Sequence, residues 1–191
     1  MKDFIKPTLS LLAISFIATF CLALVNFITK DTIFERINID ELEQRKQVIS
    51  GANDFEKIEN WENNDSSKLV KEIYIAYDKN NKKIGYVFSA TPKGYGGEIK
   101  VTVGVSNENK VLGVSIGENN ETPGLGTKAS EKSFLNQYLN NSTDNPFEVV
   151  KRSPSNDNEI QAISGATITS KAVTSAVSAS LELSKIINKK E

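Results

Sequence analysis

Four small residues, Ser164, Gly165, Ala166 and Thr167, lie directly before a stretch that predicts a long helix. The first N–H groups of a helix have no partner within it and carry a partial positive charge, so this position can bind a phosphate. The small side chains would leave the Thr167 hydroxyl open to a second molecule. A simpler interpretation is that Thr167 caps the helix, and the residues alone do not separate the two. Ile-Ser-Gly-Ala also occurs at 49–52 without a following threonine, so the threonine distinguishes the second copy.

Two further glycine-rich segments precede this motif, 94-GYGGEI-99 and 121-ETPGLGTKAS-130. Each can be interpreted as a turn, because glycine tolerates positive φ. Alternatively, the glycines would let the backbone approach a flat ligand, against which Tyr95 could stack. Residues 124–129 also match G-x-G-x-x-A, but a dinucleotide site needs a directly preceding strand within a βαβ unit, and none is predicted here. The sequence contains no P-loop.

The composition excludes several kinds of chemistry. The chain has no histidine, so the residue most often used as a general base and metal ligand is missing. Its one cysteine, Cys21, lies in an apolar run, which leaves no disulfide pair and no ligand set for zinc or an iron–sulfur cluster. The 23 basic and 24 acidic residues leave no positive excess for nucleic acid. We therefore predict no metal site, and difficult chemistry would have to come from Asp, Glu, Lys, Tyr, Ser or Thr side chains or from a bound cofactor.

Residues 8–28 contain no charged side chain and are long enough to cross a membrane as a helix. A cleavable signal peptide is the alternative, but its apolar region is usually about 7–15 residues long and ends in a small-residue cleavage site, which this sequence lacks. We therefore predict one uncleaved transmembrane helix. Lys2 and Lys6 precede it, so the positive-inside rule predicts a cytoplasmic N-terminus and an extracytoplasmic C-terminal domain at the cell (inner or plasma) membrane.

Beyond the span, residues 33–50 have loose helical spacing and predict a juxtamembrane helix, and the polar residues 51–66 predict a linker or surface loops. Alternating apolar and β-branched residues then predict two hairpins of half-buried antiparallel strands. The paired segments are 69–78 with 83–90 and 98–106 with 110–117.

Two helices are predicted after the hairpins. Residues 128–140 predict a short helix that buries Phe134, Leu135 and Tyr138. Residues 168–187 predict an amphipathic helix with a narrow face of small residues. That face consists of Val173, Ala176, Val177, Leu181 and Ser184.

The predicted strands and helices are segregated rather than alternating, which indicates an α+β fold of antiparallel β-hairpins packed with helices. One N-terminal transmembrane helix precedes that fold. We therefore predict a membrane anchor over residues 1–29, a juxtamembrane helix and linker over 30–66, and a soluble domain over 67–191.

The three glycine segments, in this order after an N-terminal anchor, resemble the FMN-binding domain of the G subunit of the Rnf ion-translocating electron transport complex. They are also similar to the C subunit of the Na⁺-pumping NADH:quinone reductase. The resemblance covers the whole arrangement and is densest from Gly94 to Ser184. It identifies residues 67–191 as an FMN-binding domain.

In that family the threonine of S-G-A-T carries FMN through a phosphodiester bond, which a dedicated flavin transferase forms. The matching residue here is Thr167, and the resemblance implies that the small residues before it give the transferase access. The expected cofactor-binding residues are Thr167 with Ser164, Gly165 and Ala166, then Tyr95, Gly96 and Gly97, and finally Glu121, Thr122, Gly124, Leu125, Gly126, Thr127 and Lys128. The family pattern D-x-x-S-G-A-T has an acidic residue where this chain has Gln161.

The resemblance implies an electron-carrying subunit, with no substrate-turnover site of its own, in a membrane complex. That complex couples electron transfer between ferredoxin and NAD to transport of Na⁺ or H⁺. The expected partners are its other membrane and redox subunits, together with the flavin transferase. Two alternatives remain: the quinone-reductase subunit, and a non-redox, membrane-anchored binding or assembly module whose glycine segments are only turns.

Overall fold

The computed structural model describes residues 2–62, 65–142 and 146–189, and the chain divides into two units, Met1–Leu42 and Glu43–Glu191. Helix α1 runs over Lys2–Val48. It makes up the described part of the first unit, and its last residues belong to the second unit. From Ile5 onward this helix is long and apolar enough to cross a membrane. At about 1.5 Å per residue it is about 70 Å long, more than twice the roughly 30 Å thickness of a bilayer core.

Helix α1 covers the predicted anchor from residue 2 onward and the predicted juxtamembrane helix as far as Val48, without a break. Residues 29–33, which separate the two predicted segments, contain neither glycine nor proline, so nothing in their chemistry interrupts the helix. The expectation of two separate helices is therefore replaced by one continuous helix.

The second unit is built on a five-stranded antiparallel sheet with the strand order β1-β2-β3-β4-β5. The strands are β1 (Asp54–Lys57), β2 (Val70–Tyr77), β3 (Lys83–Ala90), β4 (Val101–Ser106) and β5 (Val111–Ile116). The two predicted hairpins are confirmed as β2–β3 and β4–β5. Asn81 and Asn109 adopt positive φ in the two connecting turns, a conformation that asparagine tolerates better than most residues.

Strand β4 is buried on both faces, although the sequence predicted half-buried strands. On one face the last turn of α1 covers the sheet, because the paired residues Gly104 of β4 and Gly113 of β5 leave room for the backbone of Val48. Arg45 holds the same turn in place. Its guanidinium lies 3.8 Å from the centre of the Tyr74 ring and donates a hydrogen bond of 2.9 Å to the Tyr74 hydroxyl.

The opposite face of the sheet packs against the long helix α3 (Thr167–Asn188). The predicted inward face of this helix is confirmed, since all five of its residues are buried. Between β5 and α3, the predicted short helix is present as three consecutive pieces. They are a 3-10 helix over Gly126–Ser130, helix α2 over Lys132–Leu135 and a 3-10 helix over Asn136–Tyr138. Phe134 and Tyr138 are buried as predicted, and Leu135 is partly buried. The predicted α+β architecture is therefore confirmed.

Three short strands escaped sequence-based prediction. β1 lies within the predicted linker and forms an edge of the large sheet, where three of its four side chains are exposed. β6 (Glu148–Val150) and β7 (Glu159–Gln161) form a separate parallel pair. Strands of three or four residues are too short to show an alternating pattern. The prediction of an irregular linker over 51–66 is therefore wrong at residues 54–57.

Candidate functional site

The carboxylate of Glu121 joins the three glycine-rich segments. Its Oε1 accepts a hydrogen bond of 2.9 Å from the backbone N–H of Gly96, and its Oε2 accepts one of 2.5 Å from the hydroxyl of Thr169. Glu121 follows β5, Gly96 precedes β4, and Thr169 lies in the first turn of α3. Glu121 is only 6% exposed, so one buried side chain holds three distant parts of the chain together.

Three glycines around this carboxylate are explained by close approach. A Cβ atom at Gly94 or Gly126 would overlap the side chain of Glu121, and one at Gly96 would overlap the backbone oxygen of Asn120. None of these three has a positive φ. They are therefore needed for space, and the interpretation of the segments as turns alone does not account for them.

A cleft of about 570 Å³ opens beside Glu121, a size typical of small-molecule sites. It is lined by Tyr95, Glu121, Thr122, Leu125, Gly126, Gly165, Ala166, Thr167, Ile168 and Thr169. Three of its apolar side chains are exposed, Tyr95 by 72%, Leu125 by 42% and Ile168 by 55%. Of the four large apolar side chains exposed in the described part of the second unit, only Leu112 lies outside the cleft lining. The cleft therefore combines an apolar rim with buried polar groups.

Three threonine hydroxyls belong to the cleft lining, and they are not equivalent. The hydroxyl of Thr169 is committed to Glu121. Those of Thr122 and Thr167 form no hydrogen bond with any residue that the structure describes. Of these two, only Thr167 is part of a helix, at its first residue. The Thr167 hydroxyl is thus a free oxygen at the N-terminus of α3.

The N-terminus of α3 has no side-chain cap. Its N-cap residue is Ala166, which has no side chain able to accept from the free N–H groups, so the structure does not support the alternative interpretation in which Thr167 caps the helix. The approach to the helix is nevertheless well ordered. The Ser170 hydroxyl donates to the Ala166 carbonyl oxygen at 2.9 Å and accepts from the Ile163 N–H at 3.0 Å. The first turn therefore presents unpaired N–H groups from a fixed backbone.

The predicted site residues fall into two groups. Eight of them line the cleft: Tyr95, Glu121, Thr122, Leu125, Gly126, Gly165, Ala166 and Thr167. The other six support or surround it. Gly96 donates to Glu121, Gly97 has a positive φ, and the Gly124 N–H donates to the Thr127 hydroxyl at 2.9 Å. Ser164 and Lys128 line a neighbouring groove of about 240 Å³.

Sequence reasoning missed two cleft residues, Ile168 and Thr169. Ile168 breaks the expected pattern, because it is a large apolar residue that is left 55% exposed on a helix. Thr169 is 1% exposed, and its partner Glu121 is distant in the sequence. The signal that could have indicated both is their place in SGATITS, directly after the free threonine.

Comparisons with known proteins agree with this site. Residues 94–182 match a family model described as an FMN-binding domain. The chain is 37% identical to the G subunit of the Na⁺-translocating ferredoxin:NAD⁺ oxidoreductase complex of Acetobacterium woodii, over 98% of this chain and 95% of that relative. It is also 37% identical to the G subunit of the proton-translocating ferredoxin:NAD⁺ oxidoreductase complex of Clostridium ljungdahlii, over 87% of this chain and 84% of the relative.

Among solved structures, NqrC of Shewanella oneidensis is similar with a TM-score of 0.53. The similarity covers 75% of this chain and 74% of that one at 19% identity, so it shows a shared fold. The 37% identity to the two relatives, over 98% and 87% of this chain, shows a common family as well as a common fold. The chain therefore belongs to the G-subunit family of Rnf-type, ion-translocating ferredoxin:NAD⁺ oxidoreductase complexes.

Proposed function

We propose that the chain carries FMN covalently on Thr167, through a phosphodiester bond, as an electron-carrying subunit of an ion-translocating ferredoxin:NAD⁺ oxidoreductase complex. The observation that carries the proposal is the Thr167 hydroxyl, which is free among the described residues and lies in the cleft at the uncapped N-terminus of α3. The family model and the names of the relatives support the same assignment.

The residues of the cleft fit an FMN group. The phosphate would lie at the first turn of α3, where unpaired N–H groups and the helix dipole favour an anion. Gly165 and Ala166 leave space beside it, and the apolar side chains of Tyr95, Leu125 and Ile168 offer a surface for a flat ring. When bound, the flavin supplies redox chemistry that the side chains of a chain without histidine lack.

Attachment would be a group transfer from FAD, catalysed by a separate flavin transferase. A bond forms between Thr167 Oγ1 and the phosphorus of the FMN half, the pyrophosphate bond breaks, AMP leaves, and the hydroxyl proton is released. Access favours this step, because Ser164 and Gly165 are exposed and lie three and two residues before the acceptor. The role of the chain in this step is to present the hydroxyl and then hold the product.

Within the complex, the chain would relay electrons between neighbouring carriers and have no substrate-turnover site of its own. Its partners would be the other membrane and redox subunits. We further propose that α1 crosses the cell membrane once, with the N-terminus in the cytoplasm and the second unit outside it, because Lys2 and Lys6 precede the apolar run. Two relatives of equal identity are named for Na⁺ and for protons, so the proposal covers either ion.

The test is expression of the full chain together with the flavin transferase, followed by denaturing electrophoresis and detection of flavin fluorescence. The wild-type band should fluoresce, and the peptide that contains Thr167 should gain the mass of one FMN less one water. T167A should lose both signals. T122V is the matched control, because Thr122 provides the other free hydroxyl of the cleft, and it should fluoresce like the wild type.

The proposal fails if T167A still carries flavin after denaturation, or if the wild-type chain carries none in the presence of an active transferase. Loss of flavin from T122V together with retention on T167A would move the attachment to Thr122. A melting temperature of T167A close to that of the unmodified wild-type chain would show that the loss of flavin does not come from unfolding.

A further inference from the structure

Glu121 is a buried carboxylate without a cationic partner in its cleft. Both of its oxygens accept hydrogen bonds, from Gly96 and Thr169, and both donors are neutral. No lysine or arginine is among the described residues that line the cleft, and Lys128, the nearest basic residue in the sequence, lines the neighbouring groove. Buried charges in proteins are usually paired with an opposite charge, so this arrangement calls for an explanation.

We propose that Glu121 is a tuning residue whose negative charge holds the reduction potential of the flavin low. The inference rests on the proposed function, because it requires FMN in the cleft that Glu121 and Thr167 line together. A neutral side chain could form the same structural link, so the proposal explains why a carboxylate occupies this position.

The physical reason is electrostatic. Reduction adds electrons to the flavin, and each electron that is not accompanied by a proton from water adds one negative charge to the ring. A nearby carboxylate raises the free energy of that reduced form relative to the oxidised form. Because Glu121 is 6% exposed, water screens this repulsion poorly, and the neutral donors that hold the carboxylate cannot cancel its charge.

Glutamine can replace Glu121 without losing its two contacts. The amide oxygen would accept from the Gly96 N–H, and the amide nitrogen would donate to the Thr169 hydroxyl, whose oxygen can act as an acceptor. E121Q therefore removes the charge and keeps the link between the three segments. E182Q is the matched control, since it makes the same change at an exposed carboxylate of α3 that does not line the cleft.

The experiment is a redox titration of the flavinylated full-length protein in detergent, with dithionite as the electron source, mediators and a reference dye. E121Q should shift the midpoint potential of the flavin to a more positive value, and E182Q should leave it unchanged. Attachment, measured by fluorescence after denaturation, should be the same in all three proteins. An E121Q protein that is fully flavinylated but has the wild-type potential would overturn the inference while leaving the proposed function intact.

A second variant avoids the buried contacts. Leu125 is 42% exposed at the rim of the cleft, so L125K adds a positive charge there with little disturbance of packing, and L125Q is its uncharged control. If charge in this cleft sets the reduction potential of the flavin, that potential should be more positive in L125K than in L125Q. An unchanged potential in L125K would contradict the inference even if E121Q failed to fold.

Discussion

At the scale of single residues, Tyr138 is a polar side chain held within the core. It is fully buried, its ring makes edge-on contacts with Phe134 and Phe147, and its hydroxyl lies 2.7 Å from that of Thr174. The Thr174 hydroxyl donates its own hydrogen to the Ser170 carbonyl oxygen, so Tyr138 must be the donor to Thr174. The pair ties the 3-10 helix over Asn136–Tyr138 to α3.

We expect Y138F to destabilise the protein by about 1 kcal/mol, the usual value of one buried hydrogen bond. The phenylalanine ring keeps the edge-on contacts, so the fold should be retained. Urea unfolding of the detergent-solubilised chain, followed by circular dichroism, measures the change. Y95F, at a tyrosine that is 72% exposed, is the control and should unfold like the wild type.

Burial also raises the pKa of Tyr138 well above its usual value. Above pH 10 the unfolded chain releases this proton while the folded chain keeps it, so stability falls as the pH rises, by up to about 1.4 kcal/mol per pH unit. Below pH 10 the tyrosine is protonated in both the folded and the unfolded chain, so this loss of stability does not occur. Y138F lacks the group, so its unfolding free energy should decline less steeply between pH 10 and 11. If the unfolding free energies of the wild type and Y138F declined equally between pH 10 and 11, the raised pKa of Tyr138 would be contradicted.

Gln161 is the residue that departs from the family pattern for flavin attachment. Its backbone is fixed by Gln137, which accepts from the Gln161 N–H at 2.7 Å and donates to the Gln161 carbonyl oxygen at 3.4 Å. Its own side chain is exposed at the end of β7 and forms no hydrogen bond with other described residues. The side chain is therefore available to a transferase and dispensable for the fold.

We expect Q161D to increase the rate of flavin attachment several-fold at unchanged melting temperature, because it restores the acidic residue of the pattern. Time courses of fluorescence on denaturing gels, with the transferase limiting, measure the rate. Q161N changes the length but not the charge and is the control. Equal rates for all three proteins would show that the transferase does not read this position.

At the scale of elements, the contact between α1 and the sheet depends on two glycines. A Cβ at Gly104 would overlap the Val48 carbonyl oxygen and lie 2.8 Å from the Ile49 side chain, and one at Gly113 would lie 2.7 Å from the Val48 Cα. We expect G104A to cost about 1–3 kcal/mol of stability through overpacking. Thermal unfolding measures it, with L112A on the exposed side of β5 as the control. A G104A protein as stable as L112A would mean that the turn can move aside.

The elements differ in whether nearby residues in the sequence are enough to predict them. The hairpins β2–β3 and β4–β5 and helix α3 follow from the periodic spacing of apolar residues in their own segments. The double burial of β4 depends on the last turn of α1, which reaches it from across the sequence. The bond between Thr169 and Glu121 is similarly non-local, so the sequence could indicate the glycine motifs but not the carboxylate that joins them.

At the scale of the whole molecule, the proposed topology predicts where water-soluble reagents reach the chain. In a C21S background, which removes the one native cysteine, S155C lies at an exposed position between β6 and β7. A membrane-impermeant maleimide should label S155C in intact cells, or in spheroplasts where an outer membrane blocks access. K2C should be labelled only after lysis. The reverse pattern would invert the topology.

The unbroken course of α1 affects how the second unit could be released from a membrane by proteolysis. Proteases cleave extended segments of chain, and shedding of membrane-anchored domains usually takes place at a flexible stalk. In the proposed topology, the residues that would cross the membrane and the residues that complete the core belong to one helix, which ends at Val48. Release of the second unit would then first require unwinding of that helix, so the proposed topology predicts that the second unit resists shedding from the membrane.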